Sequence, residues 1–193
     1  MDKIQRIKTN IDPIVTLSDQ ELEAFCSAIE TKRLSKNELF LEQGQVCNFV
    51  GLVNVGVLIY FKINDKGDEI TTDFAFPGDW ANNNLSRLTN TPSTINIRAI
   101  EDTELFILKQ QTLNELYTQI PKVERLGRIL TERSYIRLVE QTIGLQVLSA
   151  TERYENLLKK HPEIFQKVQL YHIANYLGIA PKSLSRIRKE LFE

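Results

Sequence analysis

The sequence predicts an α+β protein in three parts: a small antiparallel β domain with flanking helices, one long helix, and a C-terminal helix-turn-helix. Three observations predict it. Residues 31–108 are short apolar runs punctuated by glycine, asparagine or aspartate; residues 122–148 hold no proline and place apolar side chains at helical spacing; residues 169–191 have the spacing of two helices joined by a tight glycine turn. A chain of 193 residues, 42% hydrophobic and 25% charged, can bury a core and accommodate two units with a connector.

In the first thirty residues one helical signal stands out. Ser18 precedes DQELEAFCSAIE, Glu21 lies three residues on, and Leu22, Phe25 and Ile29 share a face, which is a capping box opening an amphipathic helix. The runs ELFLEQG, FVGLVNVGVLIYFKI, NDKGDEITTDFAFPGD and STINIRAIEDTELFIL then read as closely spaced strands, with Asp65-Lys66-Gly67 a hairpin turn, and suggest a sandwich or barrel. Leu113, Leu116 and Tyr117 form a short helical stripe that Pro121 interrupts. Pro121 suits the first turn of the next helix, where its missing N–H costs nothing. The following stretch of about 27 residues would span roughly 40 Å.

Along that helix Ile129, Ile136 and Ile143 recur every seven residues, flanked by Leu126 and Val139, as expected of a helix that pairs with a second copy of itself. Leu130, Leu138 and Leu145 form a second strip for packing on the chain's own β domain; the alternative is that the first strip packs there instead. Gly127 and Gly144 each cost about 1 kcal/mol relative to alanine inside a helix, which calls for close backbone approach or bending.

In QLYHIANYLGIAPKSLSRIRKELFE, Ile173 and Leu177 stand four apart with small Ala174 between them, Gly178 supplies the turn, and Leu184, Ile187 and Leu191 close a miniature core, with Pro181 in the first turn of the second helix. Lys182, Ser183, Ser185, Arg186, Lys189 and partly Arg188 then face solvent. Such a face can enter a major groove, Arg186 and Lys182 contacting bases or nearby phosphates, with Arg186 able to donate two hydrogen bonds to guanine, while Ser183, Ser185, Arg188 and Lys189 anchor the DNA backbone; an ordinary solvated face is the plainer alternative.

The charge supports the first reading modestly. Residues 151–193 carry eight Lys/Arg against five Asp/Glu, and the remainder sixteen against twenty. Neither an apolar run of membrane-spanning length nor a signal-peptide pattern occurs, so a cytoplasmic location and no membrane partner are expected. Cys26 and Cys47 make no disulfide framework and lack metal-ligand spacing. Both histidines, His161 and His172, lie outside the β region, so no metal, haem or other cofactor and no enzymatic activity are expected.

Over almost its whole length the chain resembles the Crp/Fnr family of bacterial regulators. The residues that carry the resemblance are the strands punctuated by Gly44, Gly56 and Gly67, the Pro77-Gly78-Asp79 turn and the final LGIAPKSLSRIRKEL. The resemblance implies an N-terminal antiparallel β-roll (a double-stranded β-helix, or jelly-roll) at residues 1–120, a dimerisation helix at 121–148 and a DNA-binding helix-turn-helix at 149–193. The implied partners are double-stranded DNA, a second copy of the chain and RNA polymerase. Base contacts would come from the positions of Pro181, Lys182 and Arg186; Pro181 and Lys182 depart from common family residues, so the preferred DNA sequence should differ. Many relatives continue beyond the recognition helix into wing strands, and the resemblance leaves open whether this chain makes any wing contact.

Nucleotide-binding members hold ribose with a Gly-Glu pair and cyclic phosphate with an arginine followed by a small residue. Here Asn82 and Asn83 stand at the pair and Ser93 and Thr94 at the arginine and its neighbour. Losing those two charged groups removes roughly 1.5 to 3 kcal/mol each, so cyclic AMP binding is not expected. Trp80, Asn82, Asn83, Ser93 and Thr94 remain as the candidate pocket for another effector, or for none, with Arg87 and Arg98 nearby as structural arginines or anion ligands. A ligand-binding or protein-interaction module that has lost DNA binding is the rival reading.

Overall fold

The computed structural model describes residues 2–192, apart from the side chain of Phe192. Helix α1 (Lys3–Ile11) is capped by Asp2, which accepts from the Gln5 N–H at 2.8 Å. Sequence reading overlooked it because nine residues are too few to be helical alone; burial of Ile7 and Ile11 against the β domain makes it stable. Helix α2 (Asp19–Ser27) opens with the expected capping box, the Glu21 carboxylate accepting from the Ser18 N–H at 2.7 Å.

The strands are β1 (Glu30–Leu34), β2 (Leu39–Leu41), β3 (Phe49–Val55), β4 (Leu58–Ile63), β5 (Glu69–Ala75), β6 (Trp80–Ala81), β7 (Asn96–Ala99) and β8 (Thr103–Lys109). They form two antiparallel four-stranded sheets, ordered β1-β8-β3-β6 and β2-β7-β4-β5, as a β-roll requires. A short helix α3 (Asn84–Thr89), unforeseen in the polar stretch after β6, is capped by Asn83. Helices α4 (Gln110–Gln119), α5 (Pro121–Val147), α6 (Ala150–Lys160), α7 (Ile164–Lys167), α8 (Leu170–Tyr176) and α9 (Pro181–Phe192) follow. Among the described residues no helix is long and apolar enough to cross a membrane.

Three apolar clusters hold this arrangement. Leu34, Phe40, Leu58, Tyr60, Ile97 and Leu105 fill the space between the sheets. The outer face of the first sheet, through Val50, Leu52 and Leu108, packs against α1, α2, α4 and the start of α5. The third cluster joins Val57, Ile59, Phe61 and Phe74 on the second sheet to Tyr154, Leu157, Ile164, Ile173, Leu184 and Ile187 of the C-terminal helices. Side chains alternate along a strand, so β4 sends Leu58 and Tyr60 inward and Ile59 and Phe61 outward to this third cluster.

Polar contacts close the same join. Tyr171 Oη and Asn175 Nδ2 both donate to the Glu69 carbonyl, at 2.8 and 2.9 Å, and Thr71 Oγ1 lies 2.8 Å from His172 Nδ1. His161 stacks on Phe76, with ring centroids 4.4 Å apart. Burial pushes both imidazoles below their ordinary pKa. Arg98 adds to this at His172 and Glu69 opposes it; at His161 Arg137 and Lys160 add and Asp79 opposes. A depressed histidine pKa contributes stability that is present above about pH 6.5 and lost as pH falls through the folded value. Asp73, its carboxyl pushed up by burial and drawn back down by Arg137, works in the opposite sense. The melting temperature should therefore fall between about pH 7.5 and 5.5, and less steeply in a His161→Phe/His172→Asn variant; an equal fall in both would assign the effect to other groups.

The two glycines of α5 differ. A Cβ on Gly127 would collide with the Tyr117 hydroxyl, which is the close approach the sequence called for, whereas a Cβ on Gly144 would meet only Leu148 Cδ1 at 3.5 Å. Gly144→Ala is expected to raise stability by about 0.5–1 kcal/mol in urea melts, and Gly127→Ala to show no such gain.

Candidate nucleic-acid interface and candidate ligand site

The helix-turn-helix is built as its spacing requires. Ile173, Ala174 and Leu177 of the first helix meet Leu184 and Ile187 of the second, all five buried, and Gly178 turns the chain at φ +67°. The Ile179 N–H returns to the Ala174 carbonyl at 3.0 Å. Arg153 fixes the unit to the end of α5, donating from Nε to the Leu177 carbonyl at 3.0 Å and from Nη1 to the Leu148 carbonyl at 2.5 Å. Nothing in the motif's spacing pointed to this arginine. Leu191, expected in the miniature core, is 41% exposed, because the last turn of the twelve-residue α9 runs past the seven-residue α8.

On α9, Lys182, Ser185, Arg186 and Lys189 are exposed and Ser183 partly so. The Ser185 hydroxyl donates to the Pro181 carbonyl at 3.1 Å and can still accept. The Arg186 side chain is 74% exposed, and its Nε lies 3.7 Å from the Glu190 carboxylate. A pair this open and this long is worth at most a few tenths of a kcal/mol, so a phosphate or guanine can displace it. Arg188 is turned away from this group: its guanidinium lies over the ring of Phe165, 4.6 Å from the centroid.

Along α5 the expected strips are redistributed. Leu126 is 3% exposed and belongs to the chain's own core, since the first half of α5 lies on the β domain; it is not a surface position on a dimer seam. Ile129 and Leu130 are half-buried, Leu130 against that core. Ile136, Val139 and Ile143 stand open, and so do Leu138 and Leu145, which were expected to pack on the β domain. Beyond Leu130 the sheet reaches α5 through polar tethers, with Arg137 Nη2 2.7 Å from the Asp73 carboxylate and Gln141 Nε2 donating to the Thr72 carbonyl at 3.1 Å. The apolar side chains on this half are left uncovered.

The five candidate pocket residues do not line one site. Asn83 Nδ2 donates to Ser93 Oγ at 2.8 Å, and Ser93 Oγ donates in turn to the Ile95 carbonyl at 2.7 Å, so both buried groups satisfy each other and the local backbone. Thr94 is exposed. Trp80 and Asn82 instead line a cavity of about 280 Å³ on the other side, between the first sheet, α4 and α5. Arg87 also lines that cavity. Arg98 does not; it pairs with Glu69 through two bonds of 2.7 and 2.6 Å, stacks over Phe61, and holds the Glu69 carboxyl below the usual range.

Residues 31–119 match the family model described as the cyclic nucleotide-binding domain. The transcriptional activator protein anr of Pseudomonas aeruginosa is 25% identical over 185 residues, spanning 90% of this chain and 75% of that protein. FixK2 from Bradyrhizobium japonicum superposes with a TM-score of 0.75 at 19% identity, over 84% of both chains. The Thermus thermophilus catabolite activator protein gives a TM-score of 0.57 at 22% identity, over 91% of this chain and 84% of that one. The two antiparallel sheets, the long helix α5 and the C-terminal helices share the fold of these proteins, and over most of its length the chain is similar to regulators of the Crp/Fnr family.

Proposed function

We propose that the protein is a homodimeric transcription regulator that binds double-stranded DNA through α9 and does not respond to cyclic AMP. The observation that carries this reading is the exposed basic face of α9, where Lys182, Arg186 and Lys189 stand clear of a buried helix-turn-helix core. Lys182 and Arg186 contact bases or adjacent phosphates, and Ser183, Ser185 and Lys189 hold the backbone. Arg188 supports the helix from behind through Phe165. The uncovered Ile136, Val139 and Ile143 favour a second copy of α5 as partner, because contiguous exposed apolar surface on a helix calls for cover. Paired this way, two α9 helices about 34 Å apart read a pseudo-palindromic site.

Indifference to cyclic AMP is supported by the Asn83–Ser93 hydrogen bond, which joins the two positions where the family resemblance would place a carboxylate for ribose and a guanidinium for phosphate. The test is duplex binding across a salt series. Affinity for random duplex should fall steeply with salt, and sites selected from a random pool should bind with or without millimolar cyclic AMP alike. No salt-dependent duplex affinity would sink the DNA reading; a rise in affinity with cyclic AMP would sink the second part alone.

A further inference from the structure

The Asn83–Ser93 pair closes the cassette from within, yet the molecule keeps an open cavity elsewhere. We propose that the cavity between the outer face of the first sheet and α5 is the effector site, and that it takes a small carboxylate with an apolar body. Its floor is apolar, formed by Phe25, Val50, Leu108 and Leu130. At about 280 Å³ it lies just below the usual range for small-molecule pockets, which suits an aromatic or short-chain acid and is cramped for a nucleotide.

The sign of the ligand follows from the lining charges. Arg87, Arg133 and Arg137 border the cavity against a single acid, Asp79. Arg137 is neutralised by Asp73. Arg133 makes no ion pair among the described residues. Among the described residues Arg87 bonds only to neutral groups, Gln110 Oε1 at 2.8 Å and Asn84 Oδ1 at 3.0 Å, and its Nε is buried without an acceptor. The buried Asn82 Oδ1 likewise lacks a donor. Charged and polar groups left unpaired beside an apolar floor favour a ligand that supplies a carboxylate to Arg87, with the positive charge of Arg133 alongside, and a hydroxyl or amide hydrogen to Asn82.

One wall of the cavity is α5 itself, where Gly127 makes room for the Tyr117 ring and Leu130, Thr131 and Ser134 follow along the helix. An occupant therefore touches the helix that bears Ile136 and Ile143 one to three turns on. Calling the site an effector site rests on the regulator reading above; binding itself does not.

The chain's single tryptophan, Trp80, lines the cavity and reports on it directly. Phenylacetate and octanoate, each compared with its primary amide, are titrated into the full chain while Trp80 emission is followed. At least one acid should give a saturable change, with the amide about tenfold or more weaker. Arg87→Met should weaken the acid about tenfold, and Leu130→Phe, which narrows the cavity without touching the charges, should weaken acid and amide alike. Absence of saturable binding by both acids, equal affinity for acid and amide, or wild-type affinity in Arg87→Met with its fold intact by circular dichroism would overturn the proposal. Duplex affinity measured on the same samples without ligand separates the readings: failure of the titration with DNA binding preserved removes only the effector site, and the converse only the DNA reading.

Discussion

Replacing Arg186 by alanine is expected to cost roughly 1 to 3 kcal/mol of specific DNA affinity, about a five- to 150-fold weakening, and to relax the preference at one base pair in each half-site. The structure makes this a clean substitution. Arg186 projects from the exposed side of α9, next to buried Ile187, and its one ion pair among the described residues is the long, open contact with Glu190. Little folding stability is at stake, so lost affinity reports on DNA. Lys189→Ala should act differently, weakening all duplexes nearly alike and lowering the salt slope by about one. Sequence selection with the two variants checks both; a base preference in Arg186→Ala that matches the wild type would remove this arginine from base recognition.

The second large effect concerns α5. Ile136→Glu combined with Ile143→Glu should convert the proposed dimer to a monomer at micromolar concentration and weaken specific DNA binding by about 10²- to 10⁴-fold. Both side chains are about half exposed within one chain, at 55% and 52%, so charge at these positions is tolerated by the single subunit. Across a seam of two α5 helices the same change places four carboxylates against one another and against apolar side chains, which costs several kcal/mol. A monomer engages one half-site and forfeits the high effective concentration of the second reading helix. Sedimentation and a gel-shift on the same preparation test the pair; a dimer that survives the double substitution would place the seam elsewhere.

Much of this architecture was legible in the sequence. Glycine punctuation marked the strands, Pro121 marked the start of α5, and the Ala174–Gly178–Ile187 spacing marked the turn between α8 and α9, because each depends on local sterics that residue types announce. Short helices were harder to read: α1 and α3 exist by packing and by the Asp2 and Asn83 caps. The seven-residue repeat of α5 gave the strip but not its neighbour. Leu126 lies on the covered half and Ile136 on the open half of one continuous pattern, and only the reach of the β domain decides where cover ends. For the ligand site, the cassette residues Asn83 and Ser93 could be named, but their mutual hydrogen bond could not. The cavity beside Arg87 and Arg133 comes from segments some forty residues apart.

One signal was present and passed over. The run Val57-Leu58-Ile59-Tyr60-Phe61 is apolar at every position, whereas a strand with one wet face alternates; unbroken apolarity announces that both faces are covered. The cover on the outer face is the C-terminal helices, and this has a consequence for how the molecule comes apart. Amide exchange in α8 should slow together with that in β4 and β5, because opening either one strips the same apolar side chains of their partners. A fragment cut at Ser149 would bare Ile59, Phe61 and Phe74 and is expected to aggregate. The β-roll and the C-terminal helices, joined through this shared apolar cluster, are thus expected to melt as one cooperative body.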